Sequence, residues 1–153
     1  MLLRKNVEII QDAVGQLYLA INFSWEEIHF FMPKYYQLES GHEKFSANRR
    51  ARDGKEFHLT FINAGEYTKL LKDAINNYQI TNTLETILKD LVRLDLLGVG
   101  KSTKEESIAY YIVCKSETLN SFRKTLGLTD KDLHVTLGFN PKDIHGVDKK
   151  EIM

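Results

Sequence analysis

Two short segments constrain this chain more than anything else in it: Phe57-His58-Leu59-Thr60-Phe61 and Leu133-His134-Val135-Thr136-Leu137. Each reads apolar-His-apolar-Thr-apolar. Such alternation marks a strand with one buried face, because successive side chains point to opposite sides. The apolar residues must face a core, and the His and Thr share the other face, about 7 Å apart. A single His beside a Thr is ordinary strand surface. With five histidines and ten threonines in 153 residues, chance supplies about 0.3 His-x-Thr triplets, and roughly 0.02 once the three apolar positions are required. Two copies, half a chain apart, therefore point to two structural halves presenting the same pair of groups.

The remaining sequence fits that division. Residues 14–21 read as a strand, and Ser24 reads as the N-cap of a helix with Glu26 and Glu27 in its first turn, ended by Pro33. The polar stretch 38–56, with Gly41 and Gly54, reads mostly as loop. A strand at 57–62 is followed by helices over 66–77 and 84–91. Strands at 92–99 and 108–114 are joined by a polar hairpin at 100–106, and a helix over 116–126 is closed by Gly127. The last strand spans 133–139, and loop follows from Pro141. Strand, helix and motif strand thus occur twice, without a break that would divide residues 1–153 into domains. The fold class is α+β: two pseudo-symmetric lobes, each a small, largely antiparallel sheet backed by helices, with all four motif residues in the groove between them.

Composition narrows what that groove can hold. Lys plus Arg and Asp plus Glu both total 21, for zero net charge. Proteins that grip long nucleic-acid duplexes draw affinity from many phosphate contacts and carry a basic excess. A nucleotide, a cyclic nucleotide or the end of an RNA fits better. The single cysteine, Cys114, precludes an intrachain disulfide and any cysteine metal cluster. The N-terminus turns charged before a signal-peptide core forms, and no run approaches the ~20 apolar residues that span a bilayer. These features predict a cytoplasmic protein with no membrane association. Residues 97–103 resemble a phosphate-binding glycine loop only superficially, because the position five before Gly100 is Asp95. The motifs supply two histidines where a catalytic zinc needs three protein ligands, so neither a metal nor another cofactor is expected.

Two imidazoles and two hydroxyls suit one chemistry well. Cutting a phosphodiester requires a proton taken from the nucleophile and a proton given to the departing oxygen. Histidine does either near neutral pH. The threonines can hydrogen-bond to non-bridging phosphoryl oxygens and stabilise their charge. The sequence resembles the 2H phosphoesterase superfamily, whose signature is two His-x-Thr/Ser motifs on strands of a bilobal α+β fold. The likeness extends over roughly residues 14 to 140. It implies a metal-independent phosphodiesterase acting on nucleotide phosphodiesters or 2′,3′-cyclic phosphates, with His58, Thr60, His134 and Thr136 as catalytic residues. Which histidine is acid and which is base stays open. Phage members that destroy cyclic oligonucleotide immune signals offer an alternative substrate. A nucleotide-sequestering module without turnover is a further alternative, against which the intact His and Thr residues argue.

Further substrate contacts are assigned outside the motifs. Arg49 and Arg52, in the basic segment before the first motif, can grip phosphate. Tyr67 and Phe139 are candidates for stacking on a base, although regular alternation turns Phe139 away from His134 and Thr136. Trp25, Tyr110 and Tyr111 have the same capacity, but aromatics in strands and helices are usually core. His145, in the loop after the second motif, is a candidate for substrate binding.

Overall fold

The computed structural model describes residues 1–153. Two edge strands, β1 (Leu2–Asn6) and β2 (Glu8–Gln11), precede β3 (Leu17–Phe23). Helices α1 (Trp25–Ile28), α2 (Met32–Leu38) and α3 (His42–Asp53) lead to β4 (Phe57–Ile62), the first motif strand. Then come α4 (Ala64–Ala74), α5 (Tyr78–Lys89), the hairpin β5 (Leu91–Lys104) and β6 (Ser107–Lys115), α6 (Glu117–Thr125) and the second motif strand β7 (His134–Asn140). All seven strands form one curled antiparallel sheet in the order β1-β5-β6-β7-β4-β3-β2.

The two lobes are visible in that order. β2, β3 and β4 form one and β7, β6, β5 and β1 the other, each with its motif strand innermost. A single register pair, Leu59 with Val135, joins β4 to β7. These are the residues between His and Thr in the two motifs, so a pseudo-twofold axis passes between them. Each motif is also followed by a β-bulge. Pairing steps from Ala20–Thr60 to Leu19–Ile62, leaving Phe61 extra; it steps from Tyr111–Thr136 to Tyr110–Gly138, leaving Leu137 extra. Bulges bend a strand and increase its twist, which curls the sheet around the groove.

The core lies on the opposite face. Phe57, Leu59, Leu133, Val135 and Leu137 are all buried there, and every helix contributes to the same cluster, from Ile28 of α1 to Leu119 of α6. Leu59 is fully buried at the junction of the lobes. Its truncation to Ala would cost on the order of 2–5 kcal/mol.

Local chemistry accounts for the departures from the sequence reading. Asp12 Oδ1 accepts the backbone N–H groups of Val14 and Gln16, so residues 14–16 form a turn and β3 starts at Leu17. Pro33 does not end a helix; it occupies the first turn of α2, where a missing N–H costs nothing. The stretch read as loop contains α3, whose polar sequence buries only Phe45 and Arg49, too narrow a stripe to show as periodicity. The hairpin is tighter than predicted. Pairing continues to Lys104–Ser107, leaving Glu105 and Glu106 as the turn, with Glu105 at φ 55. Gly127 does cap α6, at φ 79. The edge strands β1 and β2 alternate too weakly between exposed and half-buried residues to announce themselves.

Candidate active site

Continuing the Leu59–Val135 register by one residue each way sets His58 across from Thr136 and Thr60 across from His134. The two histidines therefore occupy diagonal corners of a four-residue rectangle, and the two threonines occupy the other corners. All four line one groove of about 1300 Å³. Neither threonine hydroxyl has a hydrogen-bond partner within the protein, so both are free for a ligand.

Each imidazole is anchored through Nδ1. His58 Nδ1–H donates to Asn22 Oδ1, its register neighbour on β3. Asn22 Nδ2–H in turn donates to Glu8 Oε2 at 3.0 Å, so a relay crosses three strands from His58 to β2. His134 Nδ1–H donates to the Asp132 carbonyl at 2.8 Å. Its ring meets the edge of Tyr111 at 5.6 Å, and Ser102 fixes the Tyr111 hydroxyl at 2.8 Å. These bonds select the tautomer in each ring and leave both Nε2 atoms without a protein partner.

The His134 environment is not neutral towards charge. Burial is the largest influence and lowers its pKa to about 4; the positive charges of Lys149 and Lys131 push the same way, and the Asp132 hydrogen bond only partly opposes them. At neutral pH His134 is thus an unprotonated imidazole with its Nε2 lone pair exposed to the groove.

The residues assigned from sequence to substrate binding divide. Arg52 and His145 line the groove. Arg52 is held by Asp53 at 2.8 Å and by Asp143. Arg49 does not reach it: its guanidinium lies 3.8 Å from the Phe57 ring centroid and donates to the Glu56 carbonyl at 2.9 Å, under the first motif strand. Tyr67 is buried on α4 beside a smaller cleft shared with Leu71 and Ile75. Phe139 departs from simple alternation. The bulge at Leu137 brings it opposite Ala109, where it packs with Ile144 apart from the main core, covered by the Arg52 guanidinium at 4.8 Å. Buried in this way, it leaves no face for a base. Trp25 stacks near His29 at 6.4 Å, away from the groove, and Tyr110 is core, with its hydroxyl on Glu39 at 3.1 Å.

Other residues of the site and its support were not anticipated. Asn22 had a signal, since a polar residue inside an otherwise apolar strand is unusual. Arg123 donates to both oxygens of Glu66 at 3.0 and 2.8 Å, and Tyr18, Lys131 and Lys149 also line the walls. Lys149 comes from the C-terminal segment, which folds back along β5: Met153 N–H bonds to the Val99 carbonyl at 2.8 Å. Glycine lets it approach. A Cβ on Gly98 would sit 2.7 Å from Ile152, and one on Gly100 would sit 2.8 Å from the Glu151 carbonyl. No three His, Cys, Asp or Glu side chains converge as a metal-binding group. No helix is long and apolar enough to cross a membrane.

A family model described as "Swiss Army Knife, 2H phosphoesterase domain" matches residues 18–145. The chain belongs to the 2H phosphoesterase superfamily. No curated protein and no solved structure matches it. The match to this 2H phosphoesterase takes in all of β3 but Leu17, with Asn22, both motif strands, Arg52 and His145. Glu8 at one end and Lys149 at the other lie outside the matched residues. Membership supports phosphodiesterase-type chemistry in general, and the curled antiparallel sheet with its helices is consistent with the family fold.

Proposed function

We propose that this 2H phosphoesterase hydrolyses a nucleotide phosphodiester or a 2′,3′-cyclic phosphate without a metal, with His134 as general base and His58 as general acid. The observation that carries the reading is the diagonal placement of two imidazoles, each anchored through Nδ1 with Nε2 free. In-line displacement puts nucleophile and leaving group on opposite sides of phosphorus, and diagonal histidines suit that demand. His134 Nε2, unprotonated at neutral pH, takes a proton from water as the water oxygen bonds to phosphorus. The bond from phosphorus to the departing ribose oxygen breaks, and that oxygen takes the Nε2 proton of His58, which enters the step as imidazolium with Nδ1–H still on Asn22. Thr60 and Thr136 donate hydrogen bonds to the non-bridging oxygens, whose charge increases in the transition state. The histidines then exchange protons with solvent to restore the starting state.

A second reading is favoured by size. A groove of about 1300 Å³ exceeds the roughly 300–1,000 Å³ of most small-molecule pockets, which gives room for a ligand larger than one nucleotide, such as a cyclic oligonucleotide messenger. The test is a substrate panel in EDTA: a nucleoside 2′,3′-cyclic phosphate, a 2′-5′ dinucleotide, cyclic dinucleotides and an oligoribonucleotide ending in a 2′,3′-cyclic phosphate. The proposal expects turnover of the cyclic phosphate or the 2′-5′ linkage. Turnover confined to cyclic dinucleotides would establish the second reading. Tight binding of any member with no turnover of all would mark a sequestering module and refute both.

A further inference from the structure

The cations of the groove are not equally committed. Arg52 is spent on Asp53 and Asp143, and Arg123 on Glu66. Three groove lysines form no ion pair within 4.0 Å: Lys55, which is exposed, and Lys131 and Lys149, which are not. Lys149 is 4% exposed, and its ammonium has one protein acceptor, the Ile144 carbonyl at 2.6 Å, for three N–H donors. The Tyr111 ring lies 5.8 Å below it. Lys131 is fixed through its backbone, its N–H on Asn120 Oδ1 at 2.9 Å, while its side chain lines the groove. Burial lowers the pKa of both, that of Lys131 to about 8, where Arg123 and Lys149 add repulsion against the pull of Glu66. Asp132 and Asp143 attract Lys149 from beyond ion-pair distance. Asp132 is already engaged by the Lys149 backbone N–H at 3.1 Å.

Holding two like charges at one end of a groove, one of them buried, is costly unless something negative joins them. A scissile phosphodiester brings one negative charge and already has four partners in the motif residues. Two uncommitted ammonium groups match a dianion, and a terminal phosphate carries about −1.5 to −2 at neutral pH. We propose that Lys131 and Lys149 form a second phosphoryl subsite at the His134 end of the groove, and that the substrate carries a terminal phosphate besides the bond that is cut. The substrate half of this inference rests on the phosphodiesterase reading above. The subsite itself does not.

The test compares adenosine 2′,3′-cyclic phosphate with its 5′-phosphorylated counterpart, using wild type, Lys131→Gln and Lys149→Met. Methionine keeps the buried stem of Lys149 in place, and Lys131 is accessible enough for Gln to leave the fold intact. Wild type is expected to favour the 5′-phosphorylated substrate in kcat/KM by about 10-fold or more, as charge-assisted hydrogen bonds warrant. Each variant should lose that preference, with kcat/KM falling by a larger factor on the 5′-phosphorylated substrate than on the unphosphorylated one. No preference in wild type overturns the proposal. So does an equal loss on both substrates, which would assign the lysines to the scissile phosphate. Titration with inorganic phosphate, followed by amide shifts at residues 129–131 and 149, gives a readout independent of turnover. If neither nucleotide is cut but phosphate moves these amides in wild type and not in the variants, the subsite stands and 2′,3′-cyclic phosphate falls as the substrate.

Discussion

Protonating His134 should destabilise the fold, and the size of the effect follows from its surroundings. Burial, aided by Lys149 and Lys131, brings its pKa down from 6.5 to about 4. Between those values the unfolded chain binds a proton that the folded chain refuses, so stability rises with pH through this window and is lost as pH falls from 6.5 towards 4. The full difference is worth about 3 kcal/mol, and about 2 kcal/mol of it is lost between pH 7 and pH 5. Carboxylates also titrate as pH falls, so the measurement must be differential. His134→Asn is the right reference: its Nδ2–H can keep the bond to the Asp132 carbonyl, and it has no titrating group. Urea unfolding at pH 7 and pH 5 should show wild type losing about 2 kcal/mol more than the variant, a midpoint difference of about 1 M for a chain of this size. Equal losses in the two proteins would refute the claim that the fold holds His134 unprotonated, and with it the assignment of His134 as the base.

Other expectations follow from the same geometry. Asn22→Ala should lower kcat on the order of 10- to 100-fold, a part of what acid catalysis contributes, with KM and the urea midpoint little changed; an unchanged kcat would show that the Glu8–Asn22 relay does not position His58. Thr60→Val and Thr136→Val keep the side-chain shape and remove the hydroxyl, so each should cost on the order of 100-fold in kcat, measured by steady-state hydrolysis. Gly100→Ala places a Cβ 2.5 Å from Tyr111 and 2.8 Å from the Glu151 carbonyl. It should cost about 1–3 kcal/mol and expose residues 147–153 to carboxypeptidase, whereas unchanged protection would deny that the C-terminal segment needs this glycine.

The centre of this fold was legible because its pattern is local. Alternation around His58 and His134 fixed which side chains face the core, and duplication of that pattern implied paired lobes. Register is not local, so the Leu59–Val135 pairing that sets the histidines on a diagonal could not be read from either strand alone. The same holds for Asn22, whose role depends on lying beside His58 on another strand. Phe139 shows how one inserted residue defeats alternation: the bulge at Leu137 turns it to the groove side, where Arg52 then covers it. Helix α3 has no periodic signature because it buries only Phe45 and Arg49, not a broad apolar stripe. Lys149 carries no sequence signal at all. Its position depends on how the C-terminal segment crosses β5.

The claim at the centre is that His58 and His134 act as one acid–base pair without a metal. The most direct measurement is the single-turnover rate, in EDTA, of wild type, His58→Ala, His134→Ala and the double variant on whichever panel substrate wild type cuts. Each single substitution should lower the rate by about 10²- to 10⁴-fold, and the double variant should be little slower than the worse single, as groups acting as a unit behave. A rate within about tenfold of wild type for either single variant would contradict the pair.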